Sequence, residues 1–532
     1  MELTGLNFIG NELSGKGKTT FQAFNPDKCK KISPLFCEAT RAEINKAVHR
    51  AETAFREYSQ KSGNQRASLL ETIAHEILDL GDKLIDRCCE ETGLPVQRLT
   101  GERGRLVNQL KLFADLLREG SWVDARIDHA DPERQPVPRP DIRSMHKPLG
   151  PVGIFGASNF PLAFSVAGGD TTSVLAAGCS VVIKAHPAHP GTSEMVAQAI
   201  RAAINKTNMP DGLFSMIHGQ STNTGMAVVR HPNIKAIGFT GSFRGGKAIF
   251  DASARRPEPI PVYAEMSSTN PVYILPGALH ERMQEISKGL TASVTLGVGQ
   301  FCTNPGLVVM VESKDSEEFL KITASNFQEV PPATMLTPGI FTAYQDGIHF
   351  LTKESKIRLL AISKNKGLAY QGPACLLQTT AEHFLTNEVL ENEVFGPSTL
   401  IITAKDKTEV LKISANLKGH LTTTLHATDQ DLRDYDDLIN ILERKAGRLI
   451  INGFPTGVEV CHAMVHGGPF PATTDSRTTS VGTAAITRFT RPVCYQNFPD
   501  NQLPDELKEA NPLNIWRLVD GERKKGRLSA SG

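Results

Sequence analysis

The sequence predicts an α/β protein organised around parallel sheets. Three observations carry that prediction. From residue 150 onward, short apolar strand-like runs alternate with helical segments, the pattern of strand–helix–strand units wound right-handedly. A second alternation of the same kind runs from about residue 262 to residue 461. At 532 residues, the chain is long enough for several lobes, each with its own core.

The first third reads as helical. Residues 41–59 place Ile44, Ala47, Val48, Ala51, Ala54 and Phe55 on one face of a 3.6-residue period. Residues 66–92 and 99–119 repeat that period. Residues 121–146 turn polar and proline-rich, which predicts an exposed arm or linker. In the first α/β segment, strands are expected at 153–155, 179–183, 213–217 and 236–239. A helix is expected over 193–204, capped by Thr192 or Ser193. In the second segment, strands are expected at 308–311, 400–403 and 448–451. Residues 484–499 are β-like and suit an oligomer edge, and the charged tail beyond residue 500 is expected to pack poorly.

Global composition excludes some partners. Lys+Arg 58 against Asp+Glu 57 leaves no excess charge to favour nucleic acid or an anionic membrane. The start has no basic stretch followed by an apolar one, so no signal peptide is read. The most apolar stretch, 151–183, is broken by Asn159, Pro161 and Asp170, and reads as buried core, not a membrane span. The nine cysteines are odd in number and form no CxxC pair, so neither a zinc site nor a redox pair is expected. Free thiols and a reducing, cytoplasmic location follow.

The chemistry concentrates at a few positions. Cys302 lies in Gly-Gln-Phe-Cys-Thr-Asn-Pro-Gly, between glycines and polar residues, a setting for a thiol that meets a substrate. Asn159 follows the strand at 153–155, where a side-chain amide can aim an N–H at a developing oxyanion; a turn-forming Asn before Phe-Pro is the alternative. Lys184 ends a strand, the end at which open α/β sheets bind ligands. Glu265, among small and apolar neighbours, is expected to be desolvated and raised in pKa towards use as a base. Glu393, in Asn-Glu-Val-Phe-Gly-Pro, pairs a carboxylate with the Phe395 ring in a fixed turn. The glycine-rich turn at 238–247 follows a strand and opens a helix, so its N–H groups could face a pyrophosphate. Its spacing is not GxGxxG, and alone it is a weak dinucleotide signal. No histidine lies near Cys302 in sequence; His462 and His466 could approach it only through folding.

In this order, SNFP, VVIK, GFTGS, AEMSS, GQFCTNPG and NEVFGP resemble the aldehyde dehydrogenase superfamily from about residue 41 to residue 499. The resemblance implies a Rossmann-type cofactor domain, an α/β catalytic domain and a small β bridging element. It sets the cofactor domain at 1–120 and 147–261 with 462–482, and the catalytic domain at 262–461. The bridging element takes 121–146 and 483–500, and the tail 501–532. It implies Cys302 as nucleophile, Asn159 with the backbone N–H of Cys302 as oxyanion hole, and Glu265 as the base that hydrolyses a thioester. It also implies Lys184 and Glu393 as ribose contacts, Phe395 beside the nicotinamide, and Gly241, Ser242 and Gly246 at the pyrophosphate. No metal is implied, and the assembly is a homodimer or homotetramer. Many members carry a Glu three residues after the lysine; here it is Pro187, which leans the reading to NADP, with NAD the alternative. Ser267-Ser268 replaces the usual Gly-Gly. AEMSSTNP and residues 466–483 are similar to the branch acting on fatty aldehydes or on 2,5-dioxopentanoate. The expected reaction is NAD(P)-dependent oxidation of 2,5-dioxopentanoate to 2-oxoglutarate. A broad or fatty aldehyde dehydrogenase, a CoA-acylating enzyme and a cysteine hydrolase are the rivals.

Overall fold

The computed structural model describes residues 2–526. Two seven-stranded sheets dominate it. The first runs, edge to edge, through Val262–Glu265, Ala236–Thr240, Val152–Phe155, Val181–Lys184, Phe214–Ile217, Asn7–Ile9 and Glu12–Ser14. Its first five strands are parallel, and Asn7–Ile9 joins antiparallel. From Val152–Phe155 the chain builds first one side of the sheet, through Val181–Lys184 and Phe214–Ile217, and then the other, through Ala236–Thr240 and Val262–Glu265, so a crevice opens at the carboxyl ends there. The strands are nearly all buried, which explains why they read as continuous apolar runs.

The second sheet runs Arg358–Ile362, Cys375–Thr380, Ser398–Ala404, Leu307–Val311, Val272–Ile274, His420–His426 and Ala446–Ile451. It is parallel except for the first strand. Its amino ends face the carboxyl ends of the first sheet. The helices Gly63–Asp79, Val96–Glu119 and Pro190–Lys206 cover the first sheet and share its largest core. Arg41–Tyr58 begins at a Thr40–Glu43 capping box, in which each side chain bonds the other's backbone N–H.

Several expectations need correction. The segment 66–92 is two helices, Gly63–Asp79 and Gly81–Thr92, turned at Gly81 with φ +57°. Neither Thr192 nor Ser193 caps the next helix, which starts at Pro190. The buried carboxylate of Glu91 instead accepts from the N–H groups of Gly191 at 2.8 Å and Thr192 at 2.7 Å. The arm at 121–146 contributes the strands Arg126–Asp128 and Ile142–Pro148. The tail does not pack poorly: Arg517–Val519 and Glu522–Lys524 extend a five-stranded sheet with those strands and Thr490–Gln496. Leu503, Leu507, Ile515 and Val519 are buried in that sheet's own core. Residues 527–532, the end of that tail, lie outside the described residues. All nine cysteines are free thiols. Among the described residues, no helix is long and apolar enough to cross a membrane.

Candidate active site

The loop that carries Cys302 is built from unusual backbone. Gly297, Val298 and Gly299 have φ of +56°, +58° and +64°. A β-branched residue at positive φ is a strained outlier. Close packing fixes the turn: a Cβ on Gly299 would lie 2.2 Å from the carbonyl carbon of Gly396. The cysteine loop is thus locked against the segment that holds Glu393 and Phe395. From the other side, the buried Asn270 donates through Nδ2 to the carbonyls of Cys302 and Asn304, each at 2.9 Å. Sequence reasoning quoted Asn270 within a motif but gave it no role.

A cleft of about 1110 Å³ opens between the two sheets, above the roughly 300–1,000 Å³ of an ordinary ligand pocket. Asn159, Lys184, Gly241, Ser242, Glu265, Cys302, Glu393 and Phe395 all line it. Gly246 does not: it is buried, and a Cβ there would meet the Met266 side chain at 2.6 Å. Its role is close packing of the helix Phe243–Ala254 on the sheet. Ser242 caps that helix by accepting from the N–H of Gly245. Burial pulls the Lys184 ammonium down to about 8. Burial pushes the Glu393 carboxyl up to about 7, although Ser267 Oγ donates to it at 2.7 Å. Ser268 is occupied elsewhere, donating to Asn270 Oδ1 at 2.9 Å.

The decisive contact comes from far along the chain. His466 Nε2 lies 3.0 Å from Glu265 Oε1 and 3.4 Å from Cys302 Sγ. Ser480 Oγ donates to Glu265 Oε2 at 2.7 Å. Asn159 donates through Nδ2 to the Gln300 carbonyl at 3.0 Å, and its second N–H has no partner among the described residues. The late segment is stitched onto the strand Val262–Glu265 by Met266 N–H to Ala472 O at 2.8 Å and Thr474 N–H to Ala264 O at 3.1 Å. No motif near Cys302 announces His466; its contact spans 164 positions.

This corrects the expected state of Glu265. Burial pushes its carboxyl up, but the imidazole of His466 and hydrogen bonds from His466, Ser480 and Cys302 outweigh burial and hold it below the ordinary range. Burial, then the Glu265 charge, pushes the Cys302 thiol well above its ordinary value, so the resting sulfur carries its proton. Glu265, Cys302 and His466 also present three metal-ligand atoms within 4.8 Å of one another, although they already bond among themselves.

Comparison with known proteins places this geometry. A model of the aldehyde dehydrogenase family matches residues 13–490. Alpha-ketoglutaric semialdehyde dehydrogenase 2 of Azospirillum brasilense is 50% identical over 523 residues, covering 98% of this chain and 100% of that protein. Alpha-ketoglutaric semialdehyde dehydrogenase of Acinetobacter baylyi is 47% identical, covering 98% and 99%. A betaine aldehyde dehydrogenase from Staphylococcus aureus, solved with NAD+, superposes at TM-score 0.80 over 95% of this chain and 99% of that one, at 18% identity. An aldehyde dehydrogenase from Bacillus cereus superposes at TM-score 0.78 with 22% identity, over 92% and 96%. At those identities the two solved structures bear on the fold alone.

Proposed function

The chain belongs to the aldehyde dehydrogenase family of NAD(P)-dependent enzymes, and from that premise we propose that it oxidises 2,5-dioxopentanoate to 2-oxoglutarate with NADP. The substrate is supported by the names of the two near-full-length relatives. The chemistry rests on one observation above all: a protonated thiol, an imidazole and a carboxylate in mutual contact at the cleft between two sheets.

Cys302 Sγ attacks the aldehyde carbon, forming the S–C bond, and its proton passes to the Glu265–His466 pair. The carbonyl oxygen becomes an oxyanion, met by the second N–H of Asn159 and the backbone N–H of Cys302. A nicotinamide held beside Phe395 would supply the hydride acceptor by which the thiohemiacetal becomes a thioester. Glu265 then takes a proton from water, whose oxygen attacks the thioester and releases the acid and the thiol. A carboxylate held low is a weaker base than one poised near neutrality. We therefore assign proton transfer to the pair and not to Glu265 alone. Its low value has a use: Glu265 readily surrenders its first proton to solvent before hydrolysis begins.

The cleft fits a dinucleotide in size and in donors. Lys184 and Glu393 are assigned to the two riboses, the turn at Gly241 and Ser242 to the pyrophosphate, and Phe395 to the nicotinamide face. Pro187 offers no carboxylate to repel a 2′-phosphate, and Arg244 and His186 line the same cleft. Both features favour NADP over NAD. We divide the chain as its sheets suggest. Residues 1–120 and 147–261 with 462–482 hold the cofactor, and 262–461 carry the thiol. Residues 121–146 and 483–526 bridge to a partner copy through the edge strand Thr490–Gln496.

A cysteine hydrolase is the second reading, because His466 supplies the imidazole such an enzyme needs. The deciding experiment follows NAD(P)H formation with 2,5-dioxopentanoate, succinic semialdehyde and long-chain aldehydes, each with NAD and NADP. The proposal expects 2,5-dioxopentanoate with NADP to lead in kcat/KM by more than about tenfold, roughly 1.4 kcal/mol. Dependence on coenzyme A, or Cys302→Ala activity near wild type, refutes it.

A further inference from the structure

An aldehyde that also carries a carboxylate needs a cation at its far end. Three arginines lie near enough to Cys302 that a thiolate there would favour their charged form: Arg98, Arg105 and Arg448. Two are already engaged. Arg98 Nη2 donates to the Asn159 carbonyl at 3.1 Å and lies 3.6 Å from Glu102 Oε2. Arg448 Nη2 donates to the carbonyls of Pro455 at 2.8 Å and Gly457 at 3.1 Å. Arg105 differs: no nitrogen of its guanidinium has a hydrogen-bond partner among the described residues, Nε and Nη2 being closed to solvent as well, whereas Arg448 pairs Nη2 and leaves Nε closed and unpaired.

Unpaired N–H groups of a buried guanidinium are costly, so a folded protein keeps them only where something else completes them. The ring of Phe164 lies under the Arg105 guanidinium at 5.0 Å, and that of Phe160 at 5.8 Å. Those rings lead straight to the chemistry. Phe160 packs on Phe301 at 5.3 Å, and Phe301 directly precedes Cys302. Phe164 packs on the His466 ring at 6.3 Å. Glu102, one helical turn before Arg105, fixes this wall by accepting from the N–H groups of Leu162 and Ala163, both at 2.9 Å. Val481 and Ala157 complete an apolar cluster with the three rings. The succession from Cys302 is a thiol, an apolar wall and a fork of unpaired donors. That order matches an aldehyde, a short carbon chain and a carboxylate.

Resting on the substrate class proposed above, we propose that Arg105 is the specificity-determining residue whose unpaired guanidinium binds the carboxylate of the aldehyde substrate. A planar guanidinium offers two parallel N–H bonds to one carboxylate, which a lysine cannot reproduce.

The test measures kcat/KM of wild type, Arg105→Gln and Arg105→Lys on 2,5-dioxopentanoate, succinic semialdehyde and uncharged pentanal, with NADP. Truncating a buried charge partner predicts that Arg105→Gln loses about 100-fold or more on 2,5-dioxopentanoate, chiefly through KM. Pentanal turnover stays within about threefold of wild type, and it reports folding in the same preparation. Inhibition by 2-oxoglutarate weakens in parallel. Arg105→Lys raises the KM for 2,5-dioxopentanoate about tenfold and leaves pentanal unchanged; if Arg105→Gln does not fold, this variant decides. Equal losses on pentanal and the carboxylated aldehydes, or an undiminished preference, overturn the inference. A wild-type preference for succinic semialdehyde that Arg105→Gln abolishes upholds Arg105 while refuting the proposed substrate. No wild-type preference for any carboxylated aldehyde refutes both.

Discussion

Replacing His466 with Asn isolates what the imidazole contributes. The side chain is buried, and its Nδ1 has no partner among the described residues, whereas Nε2 faces both Glu265 and Cys302. An Asn amide reaches only as far as Nδ1, so the variant deletes both contacts and gains none. A hydrogen bond to a charged group is worth about 1.5–3 kcal/mol. Its loss at Glu265 corresponds to about one to two pH units. The sign follows from the wild-type balance. Burial pushes the carboxyl up, and the His466 charge and hydrogen bond push it down more strongly. Without His466, burial faces less opposition, and Glu265 protonates at higher pH. The acidic limb of thioester hydrolysis should therefore move up by about one to two pH units. Loss of a positioned proton acceptor should also slow acylation about 10²–10⁴-fold. Rapid mixing resolves the two steps: the NADPH burst reads acylation, and the steady rate against pH reads hydrolysis. His466→Gln places an amide N–H near the lost Nε2, so it should restore the acidic limb but not the burst rate. An unchanged limb and an unchanged burst in His466→Asn would refute the assigned pair.

Three further outcomes follow. Glu265→Gln should still form one NADPH per site, more slowly because half of the pair that takes the thiol proton is gone, while the steady rate falls about 10²–10⁴-fold, and mass spectrometry should find the acyl group on Cys302; a steady rate that falls no further than the first turnover, with no acyl group on Cys302, contradicts its assignment to hydrolysis. Glu393, pushed up to about 7 by burial, is protonated at lower pH and ionises as pH rises through that value. NADP affinity measured by calorimetry should therefore tighten between about pH 6 and 8, because ribose hydroxyls donate to the ionised form, and Glu393→Gln should flatten that dependence. The same shift works against the empty protein, which holds a proton there that the unfolded chain has lost, so its stability falls as pH rises from about 4.5 and levels off above about 7. Pro187→Glu sets a carboxylate against a 2′-phosphate and should lower kcat/KM with NADP at least about tenfold relative to NAD; an unchanged ratio places the phosphate elsewhere.

What could be read from the sequence was contiguous. Cys302, Glu265 and Glu393 each sit in a short motif at the end of a strand, and buried parallel strands announce themselves as apolar runs. What could not be read was assembled across distance. His466 reaches Glu265 over 201 positions and Ser480 reaches it over 215, so neither its partners nor the direction of its pKa followed from neighbours. Glu91 replaces a local cap from 100 positions away. Arg105 is one charge among several on the helix Val96–Glu119, and nothing in that helix's period marks its unpaired nitrogens. The strands Asn7–Ile9 and Glu12–Ser14 have three residues each, too few for an alternation to register. The tail misled because Leu503, Leu507, Ile515 and Val519 lie in largely irregular structure amid charge, with no periodicity to reveal their burial.

The long reach of His466 also orders events in time. During synthesis the thiol leaves the ribosome 164 residues ahead of the imidazole. At about 5–20 residues per second, that is a delay of roughly 8–33 s. Ser480 and the strands that complete the third sheet emerge later still. A nascent chain thus carries its sulfur without the group that takes its proton. The contact of thiol, imidazole and carboxylate is complete only when the final segment crosses back onto the first sheet. Because burial and the Glu265 charge hold the folded thiol above its ordinary value, a chain truncated before residue 466 should be alkylated at Cys302 at neutral pH faster than the finished, substrate-free protein.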